Sequence, residues 1–249
     1  MSGEVRVIPL RGIPELEVGD DLAAELAAAI ERAGGLEAGD VVVVAQKAVS
    51  KVEGRVVSLE DVEPSPRARE LAGDAGDPRR TQVILDEARV VVRSRPPLVI
   101  AETRHGFVCA SAGVDASNAK GPGTVVLLPV DPDASAAGLR ARLAELGGVA
   151  PAVVVSDSFG RAWRTGTTDI ALGVAGMAPL RDLRGEPDAA GQELHTTQIA
   201  VADEVAGAAE LVMGKACGIP AAIVRGVDLP VGAGSGAELV MPRERDLFR

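Results

Sequence analysis

Short, unbroken runs of apolar residues are the most regular feature of this chain. Val41–Val44 and Ala152–Val155 are shorter than typical helices. Continuous apolar runs of this length are typical of strands buried on both faces. Val5–Pro9 alternates apolar and polar residues and stops at a proline, which predicts another strand. Pro220–Val224 is the last clear strand of the chain.

Helical spacing of apolar residues predicts the elements between these strands. Leu22–Arg32 is rich in alanine, follows the capping candidates Asp20 and Asp21, and is followed by two glycines, so it reads as a complete helix. Further helices are predicted over Thr81–Ala88, over Ala136–Leu146 and from about Ile199 through Met213, with a short one inside Pro64–Pro78. Further strands are predicted over Val90–Ser94, Leu98–Thr103, Phe107–Ala110 and Thr124–Leu128, the first three with antiparallel spacing.

Composition limits the class of protein. A chain of 249 residues fits one large domain or two small, interlocked ones. With 47% apolar residues but only 2% aromatic ones, Val, Ala, Leu and Ile must build the core. Apolar runs are too short to cross a bilayer, and the amino terminus lacks the plan of a secretory signal. Cys109 and Cys217 are interpreted as buried free thiols of a cytoplasmic protein.

The formal net charge of −10 argues against nonspecific nucleic-acid binding, which needs a basic face. The same charge repels anionic ligands on average. A phosphate ligand would therefore need local cations, for which Lys51, Arg161, Arg164 or bound metal ions are candidates. A few cations in a cleft outweigh distant surface charge, since Coulomb energy rises as distance and dielectric fall.

The segment from Ser156 to Gly166 combines two kinds of binding chemistry directly after a buried strand. Asp157 and Ser158 offer the hard oxygen ligands that Mg²⁺ or Mn²⁺ takes. Arg161 and Arg164 are expected to share one face of a helical turn and to grip phosphate or carboxylate. In the alternative reading, Asp157 and Ser158 cap a turn and the arginines are solvated. The combination of metal-type and anion-type groups favours a functional loop.

Two other segments carry candidate ligand groups. In the polar stretch after Val44, Lys47 is expected at a solvated edge. Lys51 is the stronger candidate for a functional residue, because Gly54 indicates a tight, fixed loop. Asp115 and Asn118 could face a ligand together, and an Asx-type turn explains them equally well. The glycine-rich stretch 232–236 lacks the Lys-Ser/Thr ending of a phosphate loop and is interpreted as a flexible tail segment.

The order of several motifs resembles that of the coenzyme F420-0:L-glutamate ligases, also called F420:γ-glutamyl ligases. The matching stretches extend from about Val7 to Gly226, and their order and co-occurrence carry the resemblance. They are Gly12-Ile13-Pro14-Glu15 with Gly19-Asp20-Asp21-Leu22, Val41–Arg55, Gly113-Val114-Asp115-Ala116-Ser117-Asn118, Leu127–Ala136 and Ser156–Asp169.

The resemblance implies a mixed α/β fold, with mixed and antiparallel sheets and flanking helices, assembled as an intertwined homodimer. It implies a GTP-dependent ligase with two divalent ions, Mg²⁺ or Mn²⁺, and K⁺ as a further candidate ion. Such enzymes attach L-glutamate to F420-0 and then add further γ-linked glutamates. Some relatives carry an additional nitroreductase-like half, which is not expected in residues 1–249.

The resemblance also assigns residues. Ile13, Pro14, Glu15, Leu16, Lys51 and Asn118 would contact the nucleotide. Asp115 and Asp157 would bind one metal, Ser158 would serve the second where relatives often have Thr, and Gln198 is a weaker candidate there. Gln46 stands at a nucleotide-contacting position where relatives have Ser, which leaves base or ribose selectivity open.

These assignments imply a mechanism, and two alternative functions remain open beside it. An acyl phosphate made from GTP is the expected intermediate, with Lys51 on phosphate and Arg161 and Arg164 holding substrate carboxylates. The alternatives are a nucleotide-binding module without turnover and a metal-dependent phosphohydrolase.

Overall fold

The computed structural model describes residues 3–119 and 121–248, in which it has six α-helices and twelve β-strands. Residues 1 and 2, part of the stretch compared above with a secretory signal, lie outside this description. The helices are α1 (Leu22–Arg32), α2 (Gln46–Val52), α3 (Pro66–Ala72), α4 (Pro78–Glu87), α5 (Pro132–Gly147) and α6 (Val201–Met213). The strands are β1 (Arg6–Pro9), β2 (Val41–Ala45), β3 (Val56–Ser58), β4 (Ala88–Arg95), β5 (Leu98–Thr103), β6 (Val108–Ala110), β7 (Thr124–Val126), β8 (Ala152–Arg161), β9 (Arg164–Ala175), β10 (Arg181–Asp182), β11 (Gln198–Ile199) and β12 (Ala221–Arg225).

A five-stranded sheet with the order β1-β12-β2-β8-β9 forms the centre of the fold. The β2 and β8 strands run parallel, with Val41 opposite Ala152 and Ala45 opposite Ser156, and the other neighbours are antiparallel. Alternate valines of β2 point to opposite faces, and all four are fully buried, as the continuous apolar run predicts.

Helices cover both faces of this sheet. On one face Val42 and Val44 pack with α1, α2 and α5. On the other face Val41 and Val43 pack with α6, whose alanines allow a close approach. Two faces each buried by helices explain how a chain with so few aromatic residues builds a dense core.

A second, three-stranded antiparallel sheet has the order β4-β5-β6 and packs with α3 and α4. Its apolar core is continued by the short β3–β7 ribbon. A smaller cluster that includes Phe107 of the β5–β6 connection and Phe159 of β8 joins the two sheets. The mixed α/β class is therefore confirmed. No helix in the described ranges is long and apolar enough to cross a membrane.

The segment after Ser156 differs from the predicted loop. The β8 strand continues to Arg161, turns at Ala162 and Trp163, and returns as β9. Arg161 and Arg164 therefore face each other across a hairpin end, and the prediction that they share a helical turn is wrong. Pairing with β9 extends the strand, because that partner satisfies backbone groups that the local polar sequence leaves open.

Three further expectations are corrected. Cys109 is buried as expected, but Cys217 is exposed, so only one of the two thiols is in the core. Lys47 lies on α2, which begins directly after β2, and its side chain is only 16% exposed. The stretch 232–236 is not a free tail, since the buried Gly236 donates its N–H to Asp133 Oδ1 at 2.6 Å and lies against the Leu172 carbonyl of β9.

Candidate functional site

A cavity of about 520 Å³ opens at the carboxyl ends of the parallel strands β2 and β8. The β2 strand ends in the first turn of α2, and Asp157 and Ser158 follow the last residue of β8 that pairs with β2. In α/β sheets this edge is where ligands bind, because the chain leaves adjacent strands there with new side chains. The remaining walls come from residues 13–16, from the end of α6, and from the loop that follows α6.

An ion pair spanning 68 residues connects two of the predicted segments in this site. Lys47 Nζ donates to Asp115 Oδ2 at 2.6 Å and to Ser117 Oγ at 2.6 Å. Asp115 is placed by its backbone bridge to Val126 of β7. The Asx-type turn at Asp115 is also present, since Ser117 donates its N–H to Oδ1 at 2.8 Å. A turn and a site therefore coexist at this residue.

Asp157 and Asp115 lie on the same side of the molecule, since the charges of Lys47 and of Asp115 both act on the Asp157 carboxyl. Burial raises the pKa of Asp157 to about 6, although the Lys47 charge and the Ser158 N–H oppose the rise. Burial also raises the pKa of Asp115, but the hydrogen bonds from Lys47 and Ser117 outweigh it and hold the value at about 2. The Asp157 carboxylate is thus only partly compensated by positive charge, whereas the Asp115 carboxylate is already paired with the Lys47 ammonium.

Asp169 is a site residue that the sequence analysis did not single out. It is buried on β9 opposite Ser158, lines the cavity, and accepts hydrogen bonds from Ser156 Oγ at 2.9 Å and Ser158 Oγ at 2.6 Å. The Ser158 hydroxyl is thereby oriented, with its oxygen lone pairs available to a cation. Only the hairpin pairing reveals this contact, so no local signal could have found it.

The predicted nucleotide-contacting residues all line the cavity. They are Ile13, Pro14, Glu15, Leu16, Gln46, Lys51 and Asn118. Lys51, one helical turn after Lys47, forms an ion pair with Glu15. Asn118 has a left-handed backbone (φ 56°) and donates its side-chain amide to the Lys215 carbonyl of the α6–β12 loop at 3.3 Å. Residues 13–16, helix α2 and the segment at Asn118 therefore all border the same cavity.

Gln46 carries an unusual buried amide. Gln46 is 1% exposed, and its Oε1 accepts from Ser50 Oγ at 2.9 Å, but Nε2 has no hydrogen-bond partner among the residues that the structure describes. A buried donor without a partner costs about 1–3 kcal/mol. Because Gln46 lines the cavity, a ligand acceptor would satisfy this group.

The structure keeps three other predicted residues away from the cavity. Arg161 and Arg164 lie at the exposed end of the β8–β9 hairpin, where Arg161 donates to the Thr165 carbonyl at 3.3 Å. Gln198 lies on β11 and pairs with Asp182 of β10. None of the three lines the cavity.

The donor set suits a hard divalent cation with few protein ligands. Within residues 3–119 and 121–248 no group of three or more His, Cys, Asp and Glu could hold a metal ion. Two carboxylates and a hydroxyl are present instead, in Asp115, Asp157 and Ser158. Mg²⁺ is typically held by one or two carboxylates plus substrate phosphates and waters. The residues therefore fit such an ion.

An oxygen-rich cavity lined by Lys47, Lys51 and Lys215 at the ends of parallel strands defines the class of a site for an anionic, metal-associated ligand. A family model described as F420-0:gamma-glutamyl ligase matches residues 12–226. The chain therefore belongs to the F420-0:gamma-glutamyl ligase family, a family of ligases, as its motifs indicated.

Several relatives share the name coenzyme F420:L-glutamate ligase. The protein from Methanocaldococcus jannaschii is 46% identical over 217 residues, which are 86% of each chain. The protein from Methanothermobacter thermautotrophicus is 44% identical over an alignment 252 positions long, which covers 98% of this chain and 99% of the relative. The protein from Methanopyrus kandleri is 45% identical over an alignment 251 positions long, which covers 98% of each.

Proposed function

We propose that this chain is a GTP-dependent ligase that attaches L-glutamate to F420-0 and then adds further γ-linked glutamates. Family membership and the names of its relatives support the reaction. One observation carries the nucleotide part of the proposal: Lys47, Lys51, the Gln46 amide and the Asp157 carboxylate line one cavity of about 520 Å³, and Lys47 binds Asp115 beside it. The cavity volume is in the range of small-molecule sites.

GTP occupies this cavity in the proposed complex. Residues 13–16, Gln46 and Asn118 contact the nucleoside part, and Lys51 binds phosphate. Lys51 must then exchange its Glu15 partner for a phosphate oxygen. An ammonium on a flexible stem makes that exchange with little rearrangement of the backbone.

Asp115 and Asp157 hold one Mg²⁺ or Mn²⁺ ion in this proposal, and Ser158 contributes to a second ion. Gln198 does not line the cavity, so it would have to approach that second ion from outside. K⁺ is a further candidate ion. When bound, the divalent ions supply charge neutralisation for the phosphates. The two carboxylates bring negative charge to the site, where Lys47 donates to Asp115 and its charge acts on Asp157.

The reaction is activation of the acceptor carboxylate. A carboxylate oxygen of F420-0 attacks the γ-phosphorus, the bond from that phosphorus to the bridging oxygen of GDP breaks, and an acyl phosphate results. The glutamate amine then attacks the acyl carbon, inorganic phosphate leaves, and the amine loses a proton to water or to a carboxylate such as Glu15. The protein's part is positioning and charge stabilisation rather than covalent chemistry.

We further propose a homodimer. Support comes from exposed apolar side chains at the hairpin end. Trp163 is 81% exposed and contacts Phe248, which is also exposed, with ring centroids 4.9 Å apart. Arg161 and Arg164 could hold substrate carboxylates only if the acceptor or a second subunit reaches this hairpin end. Light scattering of the purified protein tests the dimer, and a monomer at micromolar concentration would reject it.

Purified protein with GTP, F420-0, L-glutamate and Mn²⁺ tests the function. We expect stoichiometric GDP, phosphate and glutamylated product by mass spectrometry, with no turnover when any component is left out. Phosphate release without acceptor would instead indicate a phosphohydrolase. A rise in melting temperature with GTP but no product would indicate a binding module.

A further inference from the structure

Lys47 is held by one of the carboxylates that the proposed function assigns to a metal ion. Its ammonium donates to Asp115 Oδ2 at 2.6 Å and to Ser117 Oγ at 2.6 Å, and the side chain is only 16% exposed. Ser117 adds its own N–H to Asp115 Oδ1 and its hydroxyl to Oδ2, each at 2.8 Å. Both acceptor positions of Oδ2 are therefore engaged.

The charge of the same ammonium also acts on a second carboxylate. Its charge acts on Asp157, which Asp169 and Asp115 otherwise surround with negative charge. Replacing this cation by a divalent ion is electrostatically reasonable, but keeping both close to Asp115 is unfavourable because like charges repel at short range. Lys47 and a metal ion thus compete for the same oxygens.

We infer that Lys47 is an internal competitor of the divalent cation, and that it couples metal binding to nucleotide binding. This inference rests on the proposed function and extends it to the order of loading. Lys47 and Lys51 are four residues apart on α2, so both project from one face of the helix into one cavity. A nucleotide phosphate offers the Lys47 ammonium a new anionic partner. Asp115 is then released for the metal, and each ligand favours the other.

The test is Mn²⁺ binding, measured from the free-ion signal in electron paramagnetic resonance, with and without GDP. Wild-type protein should bind Mn²⁺ at least tenfold more tightly with GDP than without it. In Lys47→Met, Mn²⁺ without GDP should bind about tenfold more tightly than in wild type, and the enhancement by GDP should shrink by a similar factor. Reciprocity requires the same change in the effect of Mn²⁺ on GDP affinity.

The sign of the effect separates competition from structural damage, since a misfolded site binds metal more weakly. Lys47→Gln provides a second, more polar variant in case the methionine disturbs folding. Lys215→Met is the matched control. It removes the same charge from an exposed residue at the same cavity that forms no ion pair in the described ranges, and it should leave Mn²⁺ affinity without GDP unchanged.

Two results would overturn the inference. Unchanged or weaker Mn²⁺ binding by folded Lys47 variants, in a protein that still ligates glutamate, would reject the competition while leaving the proposed function intact. A wild-type protein that binds neither Mn²⁺ nor GDP would reject both.

Discussion

Replacing Asp157 by asparagine is expected to abolish ligation and at the same time to stabilise the metal-free fold. The reason is that this carboxylate is partly buried and is repelled by the charges of Asp169 and Asp115, with only partial compensation from Lys47. Asparagine keeps the shape and the oxygen that accepts the Ser158 N–H, but it carries no charge. The variant therefore loses the proposed metal ligand and also loses an electrostatic cost.

The size of that cost follows from the pKa. Burial raises the Asp157 pKa from 3.8 to about 6 in the folded protein, and each tenfold change in proton affinity is worth about 1.4 kcal/mol. Well below pH 3.8 the group is protonated in both states and costs nothing. Between pH 4 and 6 the unfolded chain ionises first, so wild-type stability falls as pH rises. Above pH 6 the full cost is about 3 kcal/mol.

Urea unfolding in the presence of a chelator measures this difference. Far-ultraviolet circular dichroism is the suitable signal, because the single tryptophan, Trp163, is already 81% exposed in the folded state. We expect Asp157→Asn to exceed the stability of wild type by less than about 1 kcal/mol at pH 4 and by about 3 kcal/mol at pH 7.5, with an unchanged dependence on urea.

Asp115→Asn is the matched control, and its effect should have the opposite sign. Hydrogen bonds from Lys47 and Ser117 outweigh burial and hold the Asp115 pKa at about 2. Ionised Asp115 therefore stabilises the fold above pH 4, and this contribution is lost as pH falls towards 2. If Asp157→Asn proved less stable than wild type at pH 7.5, or if its advantage did not change between pH 4 and 7.5, the electrostatic reasoning would be refuted.

Three further substitutions test other parts of the structure. Lys51→Met should weaken GDP binding by at least tenfold with little loss of stability, because its present partner Glu15 is exposed; calorimetric titration measures it. Gln46→Leu should weaken GDP binding about tenfold, since it removes an amide nitrogen that has no partner among the described residues, and it should lower the melting temperature modestly, since it also removes the acceptor of the buried Ser50 hydroxyl. Gly236→Ala should lower the melting temperature by several degrees, because a Cβ there would overlap the Leu172 carbonyl; an unchanged melting temperature would contradict the packing described.

Local signals were sufficient for the elements that form the centre of the fold. Helix α1 begins and ends at the predicted residues, since Asp21 caps it with a 3.1 Å hydrogen bond to the Ala24 N–H and glycines follow it. The valine runs of β2 and β8 are buried strands as predicted. In both cases the residues that decide the structure are adjacent in the sequence.

The features that were missed depend on distant partners. Helix α2 starts at Gln46 without a side-chain cap, so its start has no local sequence signal. Tertiary packing of Ala48 and Val49 stabilises the helix instead. The Lys47–Asp115 pair and the Ser158–Asp169 pair each join separate segments. The resemblance of motif order brought Asp115 and Asp157 to one site, whereas their counterions and hydrogen-bond partners required the fold.

The fate of one oxygen atom tests the central claim most directly. F420-0 labelled with ¹⁸O in the acceptor carboxylate would be incubated with enzyme, GTP, Mn²⁺ and L-glutamate, and the released phosphate analysed by mass spectrometry. Activation through an acyl phosphate predicts one ¹⁸O atom in each phosphate released, because the carboxylate oxygen leaves with phosphorus. Product formation with unlabelled phosphate would contradict that route.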